Sequence, residues 1–354
     1  MKALILAGGK GTRLRPITYS MAKQLVPVAN KPVIEYGIEA IAGAGIKDFG
    51  IIVADTASEI EAVCGNGERW GINITYIPQP DALGLAHAVK TAHPWLGDSD
   101  FIMYLGDNLM KSSVDELVSE FSSQRPAATI LLTEVEHPEQ FGVAELKDGR
   151  VVGLEEKPAS PKSNLALVGV YLFDRRIHDM IEKLKPSGRG EYEITEAIPM
   201  LIDHDLDVMS PIVDGWWKDT GTVDAMLDAN RLILEDIERK VDGSVDDASR
   251  IDGRVCIGEG TQIINSTVRG PAIIGKDCLI QNSYVGPFTS IDSGTNVIAS
   301  EIEYSIVLAD ARIEFVDSRI EASLIGRGAM ARREPRQTRT LQLVLGDSSS
   351  VAFP

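Results

Sequence analysis

The sequence predicts an α/β protein in two parts. Residues 1–240 read as a Rossmann-like, mostly parallel (mixed) sheet with helices on both faces. Residues 251–354 read as a hexapeptide-repeat, left-handed parallel β-helix with a C-terminal capping segment, and 241–250 as the linker between them. Three observations carry this. Short apolar runs alternate with segments of helical period as far as Lys240, the pattern of successive βαβ units. After Arg250, aliphatic residues return every 17 positions; a β-sandwich is the alternative, but its hairpins do not keep so regular a period. The first apolar run ends in a glycine-rich cationic loop, at the place where such sheets bind ligands.

The opening run, 3–7, has the length of one buried strand. Gly8-Gly9-Lys10-Gly11-Thr12-Arg13 follows. Glycines let successive N–H groups turn inward and cradle an anion, and Lys10, Arg13, Arg15 and Lys23 add positive charge. The spacing excludes two familiar loops. A Walker A loop places Ser or Thr directly after its lysine, where Gly11 stands. A dinucleotide fingerprint needs a third glycine where Leu14 stands. Taken alone, the loop is equally an ordinary βα turn.

Further strands are predicted at 48–53, 73–77, 101–105, 128–134, 151–154 and 167–173. Helices are predicted at 31–44, 58–64, 84–92, 113–124, 176–184 and 193–203. Residues 222–240 read as one long amphipathic helix, with Val223, Met226, Leu227, Leu232, Ile233 and Ile237 on its apolar side. The polar, acidic stretch 241–250 has the composition of a linker. Beyond it Ile257, Ile274, Ile291, Leu308 and Ile325 mark the period, with Ile263, Val268, Ile280 and Val285 at steps of five or six between them. Such steps sum to one turn of a triangular coil whose aliphatic ladder faces inward. In the last coil the spacing slips to 18, from Ser300 to Ser318. Residues 331–339 read as a basic surface loop and 340–345 as a capping strand.

The net charge of −17 argues against nucleic acid and anionic membrane surfaces as partners. An acidic chain still holds a nucleotide if its cations gather in one pocket, as the four near the loop do. No apolar stretch reaches about 18 residues, so no transmembrane helix is expected, and no secretory signal is visible. Cys64, Cys256 and Cys278 lack C-x-x-C spacing, so neither a disulfide framework nor a thiolate zinc site is expected and a cytoplasmic location fits.

Two aspartates stand at the ends of candidate strands. Asp107 lies in Leu105-Gly106-Asp107-Asn108, and Asp219 in Trp216-Trp217-Lys218-Asp219-Thr220-Gly221. A pair of carboxylates from distant strand ends suits Mg²⁺, whose other ligands are phosphates and water. Read alone, each also fits a cap or turn position.

The motif Gly8-Gly9-x-Gly11-Thr12-Arg13-Leu14-x-Pro16-x-Thr18, followed by Lys23, Pro27-Val28, Lys31-Pro32 and Tyr36, resembles the signature of the sugar-phosphate nucleotidylyltransferases. That family joins a nucleoside triphosphate to a sugar 1-phosphate and releases pyrophosphate, with Mg²⁺ as cofactor. The resemblance spans about residues 1–231 and implies Arg13 and Lys23 as the catalytic cations. Arg13 would meet the triphosphate, and Lys23 the α-phosphate and the leaving pyrophosphate. Leu6, Gly8, Gly9, Gly11 and Thr12 would line the nucleotide together with Arg13 and Asp107, and Asp107 and Asp219 would hold the metal. Lys10 occupies a family position that varies.

Gln79, in Ile77-Pro78-Gln79-Pro80, resembles the base reader. Its amide offers a donor and an acceptor, matching the N3–H/O4 edge of thymine or uracil, and Gly84 would admit close backbone approach to the base. His87 reads as a helix-surface histidine, with ligand contact the alternative. Gly142, Glu156, Lys157, Val168, Tyr171 and Arg189 lie in segments that resemble the sugar-phosphate site. Lys157 and Arg189, read singly, are also solvated surface cations. Phe141 stands where tyrosine is common, and Leu167 and Val168 are bulkier than in some relatives, which bears on sugar preference.

Within the family, Lys23-Gln24-Leu25, Gly106-Asp107-Asn108, Glu155-Glu156-Lys157-Pro158 and Arg189-Gly190-Glu191-Tyr192-Glu193 are nearest to the branch that makes dTDP-glucose from dTTP and α-D-glucose 1-phosphate, the first step toward dTDP-deoxysugars. The implied mechanism is direct in-line displacement. It needs no enzyme nucleophile, which fits the lack of any Ser-His-Asp or Cys-His arrangement. UTP, ATP or GTP as donor is the alternative. A β-helix that also transfers acyl groups is another, although residues 251–354 have no histidine to act as base. A non-catalytic subunit would be expected to lack Arg13, Lys23, Asp107 or Asp219. A homo-oligomer is expected, with the β-helix faces serving assembly.

Overall fold

The computed structural model describes residues 1–333, so the expected strand 340–345 and most of the loop before it lie outside the described residues. The chain divides into two compact units. The first comprises Met1–Lys10, Met21–Leu25 and Val33–Asp219; the second comprises Gly11–Ser20, Val26–Pro32 and the chain from Thr220 on.

The first unit is built on a nine-stranded mixed sheet. Along its main path lie Arg150–Glu156, Gly142–Lys147, Leu165–Phe173, Phe101–Leu105, Lys2–Leu6, Asp48–Val53 and Asn73–Pro78, in that spatial order. The last four are parallel, so their carboxyl ends share one edge. Leu165–Phe173 runs antiparallel to Phe101–Leu105 and also pairs with Ala128–Glu134. Alternate residues of the opening strand serve different cores: Leu4 and Leu6 join one cluster, Ala3 and Ile5 the other. A strand covered on both faces needs a continuous apolar run, which is why this one reads so plainly.

Most expected elements occur within a few residues of their predicted bounds. Gly142–Lys147, Asn108–Met110 and Trp217–Asp219 are further strands, too short or too mixed in character to show periodicity. No helix among the described residues is long and apolar enough to cross a membrane.

In the second unit, Pro27–Val28 and Lys31–Pro32 form a hairpin. Its turn residues Ala29 and Asn30 both have positive φ, 49° and 60°, as a two-residue hairpin turn of matching twist requires. The helix Val223–Leu234 is shorter than the expected 222–240 because Lys240–Val241 has already become a strand. Buried Asn230 on this helix joins three segments. Its Oδ1 accepts from Ala29 N at 2.9 Å and from Ser290 Oγ at 2.6 Å, and its Nδ2 donates to Phe288 O at 3.0 Å.

The remainder is a parallel β-helix with three sheets. Residue pairs such as Val255↔Ala272, Ile263↔Ile280 and Val268↔Val285 keep the 17-residue offset. Ile257, Ile263, Val268, Ile274, Ile280, Val285 and Ile291 form its buried ladder. The expected rung position Leu308 is corrected to Val307, since Ile291 pairs with Val307 and Val307 with Ile325. One coil is a residue short and the next a residue long, and the two offsets cancel. The segment 241–250 is not a linker. Lys240–Val241, Ser244–Val245 and Arg250–Asp252 each pair in parallel with the following coil. As a terminal coil it stacks on one side only, and Val245 and Ile251 suffice to close the ladder.

Candidate active site

The glycine loop leaves the sheet at the carboxyl end of Lys2–Leu6. Ala7 N still donates to Ile52 O at 2.9 Å, so the open backbone begins at Gly8. Leu6 itself is core: its side chain is buried and its carbonyl accepts from Gly106 N at 2.9 Å. Gly8 and Gly9 are increasingly exposed. A Cβ on Gly8 would stand 3.6 Å from Gln79 Oε1, and one on Gly9 3.7 Å from Gln24 Nε2. Gln24 is buried, and its Oε1 has no hydrogen-bond partner among the described residues. An orphaned acceptor beside the loop costs free energy until a donor reaches it. The signature contains Gln24, but its composition alone suggests no role for it.

The loop continues into short 3₁₀ turns, not an α-helix; Gly11, at φ 59°, precedes Thr12–Leu14. The first α-helix starts only at Val33. An anion at this loop would meet loop N–H groups and side-chain cations, without a helix dipole. Gly11, Thr12 and Arg13 belong to the second unit, where Arg13 is exposed.

Within the first unit, three of the predicted groups meet. Lys23, 7% exposed, pairs through Nζ with Asp107 Oδ2 and lies 3.4 Å from Asp219 Oδ1. The carboxylates are brought together by a two-stranded antiparallel ladder in which Asp219 is the register partner of Asn108. Asn108 fixes the geometry. Its Nδ2 donates to Asp107 Oδ1 at 2.8 Å, while Trp217 Nε1 donates to its Oδ1 at 2.6 Å and Tyr104 Oη to its carbonyl at 3.0 Å. Two carboxylates already gathered around one cation are a donor set suited to Mg²⁺ with phosphate as co-ligand. No group of three or more acidic, His or Cys ligands exists among the described residues.

The segment expected to read the base follows Asn73–Pro78. Gln79 is 6% exposed, its N–H donates to Val53 O at 2.8 Å, and its Nε2 lies 2.8 Å from His87 Nδ1. Gly84 differs from expectation. At φ 100°, a Cβ here would fall 2.6 Å from Tyr192 O, so the close approach is made by protein backbone. Tyr192 N donates to Leu83 O at 2.7 Å, and Ala86 N donates to Tyr192 O at 3.1 Å. These bonds tie the segment 83–86 to the segment carrying Arg189.

A cleft of about 310 Å³ lies among Glu156, Ser187, Arg189, Glu193 and Thr195. Arg189 Nη1 donates to Glu156 Oε1 at 3.2 Å and Nη2 to Glu191 Oε2 at 3.1 Å. Thr195 Oγ1 donates to Glu156 Oε2 at 3.4 Å. Burial, then the neighbouring Glu193 carboxylate, push the Glu156 carboxyl above its usual range, against Lys157 and Arg189. A Cβ on Gly142 would sit 2.9 Å from Thr195 Cγ2 and 3.1 Å from Glu156 Oε2, so this glycine keeps the cleft floor open. Lys157 is exposed and holds a left-handed backbone, φ 44°, while its N–H donates to Phe141 O at 2.9 Å. A lysine kept at positive φ is strain of the kind that gathers at functional sites. Val168 and Tyr171 differ: their side chains lie in the two cores on opposite faces of the sheet. Any contact Val168 makes with a ligand is by backbone.

Cations and carboxylates at the carboxyl edge of a parallel sheet, beside a glycine loop and a polar cleft, make a site for transferring a nucleotidyl group. The chain belongs to the nucleotidyl transferase family, whose model matches residues 2–236. The glucose-1-phosphate thymidylyltransferase of Streptomyces antibioticus is 55% identical over 353 residues, 99% of each chain. That of Streptomyces griseus is 56% identical over 350 residues, 99% of this chain and 98% of its own. A Bacillus anthracis protein solved in complex with sucrose superposes with a TM-score of 0.63 at 35% identity, covering 68% of this chain and 97% of its own.

Proposed function

We propose that this protein is a glucose-1-phosphate thymidylyltransferase. It transfers the thymidylyl group of dTTP to glucose 1-phosphate and releases pyrophosphate. The observation that carries the reading is Lys23 set between Asp107 and Asp219, in a chain more than half identical to two enzymes of that name along its whole length.

A phosphate oxygen of the sugar phosphate attacks the α-phosphorus in line with the departing pyrophosphate. That oxygen is already anionic, so no general base is required; positioning and charge stabilisation do the catalysis. Gly8 and Gly9 offer backbone N–H groups to the triphosphate, and Arg13 meets its charge. Lys23 holds the α-phosphate and the leaving group, and its ammonium has the reach to exchange a carboxylate for a phosphate oxygen. Asp107 and Asp219 would hold Mg²⁺, which when bound neutralises part of the triphosphate charge. Gln79 reads the base. Glu156 accepts from sugar hydroxyls, and Lys157 and Arg189 grip the sugar phosphate. The enzyme works in the cytoplasm as a homo-oligomer.

Pyrophosphate release with glucose 1-phosphate and, in turn, dTTP, UTP, ATP and GTP tests the reading. The highest kcat/KM is expected with dTTP; a higher value with another triphosphate overturns it.

A further inference from the structure

We infer that His87 is a positioning residue for base selection: it fixes which face of the Gln79 carboxamide meets the base. The inference rests on the reading of Gln79 as base reader and adds the group that orients it.

Gln79 Nε2 lies 2.8 Å from His87 Nδ1. A neutral imidazole with its proton on Nε2 accepts at Nδ1, so the carboxamide spends one N–H on the ring. The opposite end is thereby set. Oε1 turns to the glycine loop, 3.6 Å from where a Cβ on Gly8 would be. The face left for a ligand carries one acceptor, Oε1, and one remaining N–H donor. That pair complements the N3–H donor and O4 acceptor of thymine or uracil. With the amide reversed and the ring proton still on Nε2, Oε1 would face the Nδ1 lone pair, two acceptors in contact, so the reversal also requires the proton to move to Nδ1; the NH₂ would then face the ligand. A reversed amide suits the bare N3 of cytosine instead. His87 thus couples the reversal to a change of its own tautomer, since a buried carboxamide end left without its partner costs more than a hydrogen bond returns.

The ring is itself held in place. His87 is the third residue of the helix Leu85–Leu96, in its first turn, and is half-buried. Its ring stacks at 6.1 Å and 27° on Tyr192, whose backbone is fastened to Leu83 and Ala86 on either side of Gly84. The histidine thus lies between the Gln79 amide and an anchored aromatic ring.

The test measures kcat and KM of the full-length enzyme with glucose 1-phosphate and either dTTP or dCTP. His87→Leu is expected to narrow the dTTP over dCTP preference by about tenfold or more, chiefly through a higher KM for dTTP. His87→Asn keeps an acceptor near the Nδ1 position and is expected to regain most of the preference; a merely structural histidine would show no such rescue. Gln79→Ala is the reference arm. If His87→Leu keeps the wild-type preference while Gln79→Ala loses it, the orienting role of His87 is overturned and Gln79 stands as base reader. If both variants keep it, the base reading itself falls.

Discussion

Asp107 and Asp219 meet at the end of a two-stranded ladder in which Asp219 faces Asn108, and Asn108 donates to Asp107 at 2.8 Å. The two acids are therefore oriented before any ligand arrives, with the Lys23 ammonium between them. Asp107→Asn and Asp219→Asn each leave Lys23 one carboxylate. Each is expected to keep the wild-type melting temperature within a few degrees while turnover falls by at least about 100-fold. Pyrophosphate release across a Mg²⁺ titration checks this, and unchanged turnover in both variants would end the metal assignment.

Gly142→Ala places a methyl group 2.9 Å from Thr195 Cγ2 and 3.1 Å from Glu156 Oε2. The methyl intrudes on the cleft floor and not on the glycine loop. KM for glucose 1-phosphate should rise by roughly tenfold, with KM for dTTP little changed. Steady-state kinetics with each substrate varied in turn separates the two; an equal rise in both would place Gly142 outside the sugar site.

His178 gives the fold a dependence on acidity. Its ring stacks on His93 at 3.9 Å, and neither of its buried ring nitrogens has a hydrogen-bond partner among the described residues. Burial, then the His93 ring, lower its pKa to about 4. The unfolded chain takes up this proton near pH 6.5 and the folded chain does not, so stability falls as pH drops from about 6.5 to about 4, by up to about 3 kcal/mol, and is unaffected by this group above that window. Urea denaturation at several pH values measures the decline. His178→Phe should flatten it, and an unaltered decline in that variant would assign the effect elsewhere.

Asn230→Leu removes both ends of a buried amide that serves Ala29 N, Ser290 Oγ and Phe288 O. Leaving those groups unpaired should cost about 2–4 kcal/mol. Denaturant midpoints give the value, and a loss below 1 kcal/mol would mean that the three groups find other partners.

Much of the architecture was legible because burial leaves a periodic trace. The apolar run of the opening strand and the ladder from Ile257 to Ile291 could be read directly, since each position is apolar for a geometric reason. The first β-helix coil was illegible for the converse reason: a terminal coil has little to bury, so it looks like a linker. The site was legible only through a whole-motif resemblance. Lys23 and Asp219 lie 196 residues apart, and no local pattern says that they meet. Asn230 gave no signal, because what distinguishes it is a set of partners distant in the sequence. Gly84 was expected to admit close approach to a base; the backbone that approaches it within the fold is that of Tyr192.

The hairpin turn Ala29-Asn30 limits how far this enzyme can be treated as modular. The segment Val26–Pro32, embedded in the signature region, belongs to the same compact unit as the repeats, and Asn230 binds its turn to Phe288 and Ser290. A cut placed after Lys240 would leave that turn and the helix Val223–Leu234 without the strand that completes their polar contacts. Chimaeras that trade β-helices between relatives must therefore carry three matched pieces: the turn, the helix and the rung at 288–291. Evolution faces the same constraint, and a change at any one of the three has to be accommodated by the other two.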